Sequence, residues 1–223
     1  WPQAPALFLR ARAGGALAGV APQTIACEQS FKPHADALRA AGFEVTADAT
    51  AGQFPLVLVL LPRQREEARA LLARAVVQPA AGGRVVAAQA NTEGARSSES
   101  DLAALAGPLS SLSKYKCRVF WTAPLRERAD DGLCARWLAL DAVRPIDDGR
   151  FESRPGLFAW NRVDPASALL AAHLPPELRG VAADLGAGFG YLSTELLQRC
   201  PGITQLHCFE AEARALALAA QNL

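Results

Sequence analysis

The sequence predicts an α/β fold: mostly parallel sheet, helices on both faces, in two parts. Three observations predict it. Phe54 to Leu61 is a continuous apolar run, as in a strand buried on both faces. An amphipathic helix (Gln64 to Val77) and another apolar strand (Arg84 to Ala88) follow it, the alternation of a parallel sheet. Near the other end, Val181 to Gly190 (VAADLGAGFG) reads as strand, glycine-rich turn and helix start, and a second strand ends in Glu210.

In order, Ala6 to Leu9 reads as a short strand broken by Gly14 and Gly15, and Thr24 to Cys27 as a second, ending at Glu28. Pro33 to Ala41 is a helix with Gly42 at its C′ position, and Phe43 to Thr46 a further strand. Pro62 stops the apolar strand. In the next helix Ala68, Leu71, Leu72, Ala75 and Val76 share a face, and Glu66 and Glu67 suit the positive end of its dipole. Gly82 and Gly83 read as a turn. Asn91 to Ser100 reads as a polar loop entering a helix over Glu99 to Ala106, ended by Gly107 and Pro108. Lys114 to Trp121 reads as one strand. Lys114, Lys116, Arg118, Arg126 and Arg128, with Tyr115, Phe120 and Trp121 among them, suit phosphate pairing and base stacking; a solvated strand edge explains them as well. Arg144 to Ser153 is polar and turn-rich, which sets the domain boundary at 150. Beyond it come a helix over Ala166 to His173, strands over 181–185 and 204–209, and helices over 189–200 and 211–222.

Composition excludes several classes. The 223 residues are 51% hydrophobic and 20% charged, ordinary for a globular chain. Net charge is +1, with 18 basic and 15 acidic residues before position 151 and 5 and 7 after it, so there is no global nucleic-acid signal. Five cysteines without a C-x-x-C suggest neither a disulfide framework nor a metal site, and fit a reducing cytoplasm. The longest strongly apolar run, Leu56 to Leu61, is far too short to span a membrane. The chain begins at Trp1 and contains no Met, and two strands are few for a second domain. The first feature suggests an incomplete or processed chain, and the second a C-terminally incomplete one.

The ligand class follows from the glycine turn. A dinucleotide fingerprint needs glycine at 191, where Tyr191 stands, and no Lys-Ser/Thr pair follows to make a P-loop. The pattern is instead D-x-G-x-G-x-G over Asp184, Gly186, Gly188 and Gly190. A carboxylate this close suits a ligand with positive charge. Glu210, 20 residues after Gly190, is placed to accept from ribose hydroxyls. Together these describe a nucleoside site with no required phosphate.

This pattern resembles motif I and the second-strand acid of class I S-adenosylmethionine-dependent methyltransferases. Upstream, Pro155 to Ser167 (PGLFAWNRVDPAS) resembles the lead-in of the small-subunit ribosomal RNA guanine-N2 methyltransferases, matching at Pro155, Gly156, Phe158, Asp164 and Ser167. The resemblance implies two Rossmann-like methyltransferase domains in tandem: a degenerate one over 1–150, without the glycine loop, and the first part of the donor-binding one over 151–223. It implies S-adenosyl-L-methionine as cofactor, ribosomal RNA or a ribosomal subunit as partner, and cytoplasmic action without membrane or metal. Phe158 and Asp164 are expected to line the donor site. Lys114, Lys116 and Arg118 are the expected RNA contacts. The family's catalytic Asn-Pro-Pro-Phe/Tyr motif does not occur, so no catalytic residue is assigned and the chain by itself is expected to be inactive. Three other readings use the same residues: a methyltransferase with a protein or small-molecule acceptor, a nicotinamide-dependent oxidoreductase, and a non-catalytic RNA-binding protein with a relict donor site.

Overall fold

In the computed structural model, residues 5–47, 49–50, 52–126 and 130–223 are described. Arg128, one of the basic residues singled out above, lies outside them. The fold is α/β with a mixed, mainly parallel sheet. Contacts divide the chain into two units, Trp1–Asp141 and Ala142–Leu223.

Among the described residues the first unit carries seven strands: β1 (Ala6–Leu9), β2 (Ile25–Glu28), β3 (Val45–Thr46), β4 (Phe54–Leu60), β5 (Pro79–Ala90), β6 (Leu109–Lys114) and β7 (Cys117–Thr122). Their order is β3-β2-β1-β4-β5-β7-β6. Neighbours from β3 to β5 pair in parallel, and β7 runs antiparallel to both β5 and β6. Helices α1 (Lys32–Ala40), α2 (Arg65–Val77), α3 (Ala95–Ala106) and α4 (Asp131–Leu138) complete it. Side chains of β1 alternate between two cores. Leu7 and Leu9 join Val57, Leu72, Leu102 and Trp137 in one cluster, while Phe8 joins Ile25, Leu38 and Phe43 in the other. A strand that feeds two cores must be apolar throughout, which is why β1 and β4 read as unbroken runs. The stripe expected on α2 is buried, and Ala70 and Ala73 are buried too, because α3 and α4 also pack on this helix.

Four readings change here. Lys114 to Trp121 is a hairpin, because the chain reverses at Tyr115 and Lys116, both left-handed with φ 53° and 59°. Such a turn normally announces itself with Asn or Gly, and neither is present. The expected polar loop over 91–100 closes early: α3 starts at Ala95, after Gly94 turns the backbone at φ 101°. Gly82 and Gly83 lie within β5, whose pairing to β4 shifts register nearby. Finally, α4 had no counterpart in the sequence reading; the Asp130 side chain caps it by accepting from the Leu133 N–H at 2.7 Å.

The second unit opens with the polar, turn-rich segment read as the domain boundary. It is a hairpin of β8 (Arg144–Ile146) and β9 (Phe151–Ser153), turning through left-handed Asp147 and Asp148. Asp tolerates that conformation because its short carboxylate bonds locally. Then come α5 (Pro165–Ala172), β10 (Arg179–Leu185), α6 (Tyr191–Arg199), β11 (Gly202–Phe209) and α7 (Ala213–Asn222), with β10 and β11 paired in parallel. Ile146, Phe151, Leu157, Phe189, Ala215 and Leu218 form the core. The hairpin thus supplies core residues to the second unit, and the units part at 141/142.

Candidate functional site

The loop between β10 and α6 is held from several sides. The Gly186 and Ala187 N–H groups donate to the Phe209 carbonyl at 2.7 and 3.1 Å, which ties the loop to the end of β11. The Glu210 carboxylate accepts from the Gly188 N–H at 2.8 Å through Oε2, and from the Ala211 and Glu212 N–H groups at 2.7 and 2.8 Å through Oε1. An ionised carboxylate offers about four acceptor positions, so about one is left for a ligand. Glu210 therefore orders the loop, a role additional to the ribose contact expected of it.

Asp184 performs a comparable task on the neighbouring strand. Its Oδ2 accepts from the Ser193 hydroxyl at 2.7 Å, bracing the first turn of α6 against β10. Ser193 is fully buried and also meets the Cys208 Sγ at 3.2 Å. Sequence reasoning missed it, although a Ser nine residues after the acid, two into the helix, is where a partner would stand.

Gly186 and Gly188 take φ of 83° and 56°, and a Cβ at either would meet no atom within 4 Å. Their bare backbone faces open space, as close approach of a ligand requires. Gly190 differs. At φ 96° a Cβ would lie 3.2 Å from the Ala219 Cα, so this glycine lets α6 start against α7. Asn222, also missed, closes the arrangement: its Nδ2 donates to the Phe189 carbonyl at 2.7 Å and the Glu152 carbonyl at 3.0 Å, and its Oδ1 accepts from the Glu152 N–H at 2.8 Å.

A cavity of about 80 Å³ beside the loop brings four expected residues together, Phe158, Asp164, Gly186 and Gly188, with Phe189 and Tyr191. It holds only a few waters at about 30 Å³ each, so it takes one end of a ligand. Asp164 caps α5, accepting at Oδ2 from the Ser167 N–H at 2.9 Å and hydroxyl at 3.2 Å. Phe158 is 75% exposed, an open apolar face at the cavity. Asp184, Gly190 and Glu210 support the loop without lining this space.

Lys114, Lys116 and Arg118 cluster at the β6–β7 turn of the first unit. Lys114 Nζ sits 4.8 Å from the centre of the Tyr115 ring, which is 84% exposed. Arg118 is paired with Glu99 at 2.6 Å, so its charge is partly spent. No group of His, Cys, Asp and Glu able to hold a metal ion occurs among the described residues, nor does a helix long and apolar enough to cross a membrane.

Comparison with known proteins gives a consistent result. Residues 148–223 match the family described as Methyltransferase small domain. The chain is 30% identical over 181 residues to ribosomal RNA small subunit methyltransferase C of Pseudomonas paraeruginosa, covering 78% of this chain and 54% of that protein. It is 29% identical over 195 residues to the Vibrio cholerae protein of the same name, covering 86% and 55%. It thus spans about half the length of these curated relatives. Among solved structures it resembles the T. thermophilus 16S rRNA N2 methyltransferase RsmC in complex with AdoMet and guanosine, with a TM-score of 0.79 at 23% identity. That likeness covers 100% of this chain and 63% of the other, and speaks for the fold.

Proposed function

We propose that the protein transfers a methyl group from S-adenosyl-L-methionine to the exocyclic N2 of a guanine in ribosomal RNA, a reading supported by the match of residues 148–223 to the Methyltransferase small domain. The observation that carries the donor assignment is the loop itself: bare backbone at Gly186 and Gly188, pinned by a carboxylate, beside a small cavity holding a second acid. These residues fit the donor's chemistry. Its positive charge suits the Asp164 side of the cavity, and its ribose diol suits the remaining acceptor position of Glu210. The absence of a glycine at 191 argues against a nicotinamide dinucleotide. The relatives named above carry the substrate assignment through their names.

Bound there, the donor supplies an electrophilic methyl group on a sulfonium. The chain's own part is positioning. Glu210 fixes Gly188, Asp184 fixes the first turn of α6 through Ser193, and Phe158 offers an apolar face. No residue of this chain is assigned to the acceptor amino group.

The domain over 1–150, which contains the first unit, reads as a degenerate methyltransferase-like one, with the donor-binding domain over 151–223. Its strands β1 to β5 are ordered 3-2-1-4-5, as in doubly wound nucleotide-binding sheets. Arg10, Ala11 and Arg12 follow β1 where a glycine loop would be needed. Lys114, Lys116 and exposed Tyr115 support RNA contact from this unit, in the cytoplasm where ribosomal RNA is found. Alanine at Lys114 and Lys116 should weaken RNA binding and lower its salt dependence.

The test is calorimetric titration with S-adenosyl-L-methionine. Asp184→Ala and Glu210→Ala should each weaken binding at least tenfold, about 1.4 kcal/mol. Unchanged affinity in a folded variant removes the site assignment. Transfer of labelled methyl to guanine in ribosomal RNA tests the acceptor, and label found only on protein or a small molecule overturns it. RNA binding without donor uptake would select the non-catalytic reading.

A further inference from the structure

A second cleft lies wholly within the first unit, at the carboxyl ends of β1, β4 and β5. Strand order reverses at β1, between β2 and β4, and open α/β sheets bind ligands in the crevice outside such a reversal. A cavity of about 360 Å³ occupies this position, with Arg10, Arg12, Pro62, Arg63, Gln89 and Glu93 in its wall. That size lies within the roughly 300–1,000 Å³ of small-molecule sites.

Three cations face one acid here. Arg10, itself left-handed at φ 52°, donates to the Leu60 carbonyl at 3.2 Å, which lays it along the end of β4. Arg12 and Arg63 are exposed. The field of this group extends to His34, held below the usual imidazole range by burial first and then by Arg12 and Arg10.

Gln89, 5% exposed on β5, supplies the second requirement. Its Nε2 donates to the carbonyls of Pro62 at 2.7 Å and Glu93 at 2.9 Å, which fixes the orientation of the amide. Its Oε1 is buried and no donor reaches it. A buried acceptor left unpaired costs on the order of 1–3 kcal/mol. Gln89 lines the cleft, where a ligand's N–H or O–H would supply the donor that Oε1 lacks. A site that combines clustered guanidinium groups with a neutral acceptor asks for a ligand carrying both an anion and hydrogen-bond donors.

We propose that this cleft binds a phosphorylated nucleoside, its phosphate on Arg12 and Arg63 and a base or ribose donor on Gln89. The chemistry is shared by a free nucleotide and by one nucleotide of an RNA strand. The site is separate from the donor loop and goes beyond the methyl-transfer reading.

The experiment titrates the 223-residue chain with the four nucleoside 5′-monophosphates, a labelled pentaribonucleotide and inorganic phosphate. A nucleotide or the oligomer should bind at least tenfold more tightly than phosphate. Arg12→Glu and Arg63→Glu, both at exposed positions, should each reduce that binding at least tenfold, while Arg136→Glu on α4 leaves it unchanged. Gln89→Glu should reduce it further, with urea melts confirming a folded chain. Preference for a monophosphate assigns a free nucleotide, and preference for the pentamer assigns an RNA strand. The proposal is overturned if nothing saturates, if phosphate alone binds as well, or if the two charge reversals change nothing. S-adenosyl-L-methionine titrated into the same samples reads the donor site separately, so failure of either assignment leaves the other measurable.

Discussion

Every residue of β1 is buried in the first unit, whereas no residue of β10 or β11 reaches that state in the second. Val181 and Leu185 on β10 stay 66% and 78% exposed, and Phe209 on β11 55%. The first unit holds its central strands β1 and β4 by apolar packing on both faces. The second holds its functional loop by a set of polar contacts: Glu210 to backbone N–H groups, Asp184 to Ser193, and Asn222 to Phe189 and Glu152. In this chain, which spans about half the length of its curated relatives, the glycine loop is held by a few directional contacts, while the central strands of the first unit are held by buried apolar area.

That contrast can be broken most sharply in the core. Phe120, with no exposed surface, should cost about 3–5 kcal/mol on truncation to Ala. Val181→Ala on the exposed strand should stay within about 0.5 kcal/mol. Urea denaturation measures both, and equal costs would erase the distinction. Next in size is Gly190→Ala. A left-handed alanine costs roughly 1–2 kcal/mol, and its Cβ would meet Ala219 at 3.2 Å. Gly186→Ala shares the backbone penalty at φ 83° and has open space around the Cβ, so thermal melts should place it nearer the parent. The smallest effect is electrostatic. Glu195 is buried and accepts from Arg150 and Arg199, both at 2.8 Å. The Arg150 hydrogen bond, more than any other contact, holds its carboxyl below the usual value of 4.5. A depressed carboxylate stabilises the folded state above its unfolded pKa, and the gain is lost as pH falls through the folded value. The second unit should therefore weaken below about pH 4.5, and Glu195→Gln should flatten that acid limb. At neutral pH the substitution should change stability by under about 1 kcal/mol, since both arginines are half exposed and screened by water.

Much of this was legible in the residues. The apolar run at β4, the stripe on α2 and the strand–glycine–helix signature at 184–190 are local patterns whose period or composition permits few alternatives. One misreading came from a chain reversal made by residues that seldom make one. Tyr115 and Lys116 turn a hairpin with no Asn or Gly, so the run from Lys114 read as one strand. At 147–149 the Asp-Asp-Gly turn was visible, but the flanking strands are only three residues each, and the segment read as a domain boundary. In the site, the glycines and acids were legible because backbone freedom and charge are written in residue type. Ser193 and Asn222 were not, since their importance comes from partners 9 to 70 positions away.

Asn222 also sets a schedule. The strand that carries the glycine loop ends at Leu185, yet the Phe189 carbonyl finds its partner only at position 222, and the same side chain reaches back 70 residues to Glu152. Synthesis proceeds at about 5–20 residues per second. For the seconds between the emergence of Gly190 and that of Asn222, the growing chain carries the complete D-x-G-x-G-x-G signature without the clasp that shapes it. The motif is written early and becomes a site late.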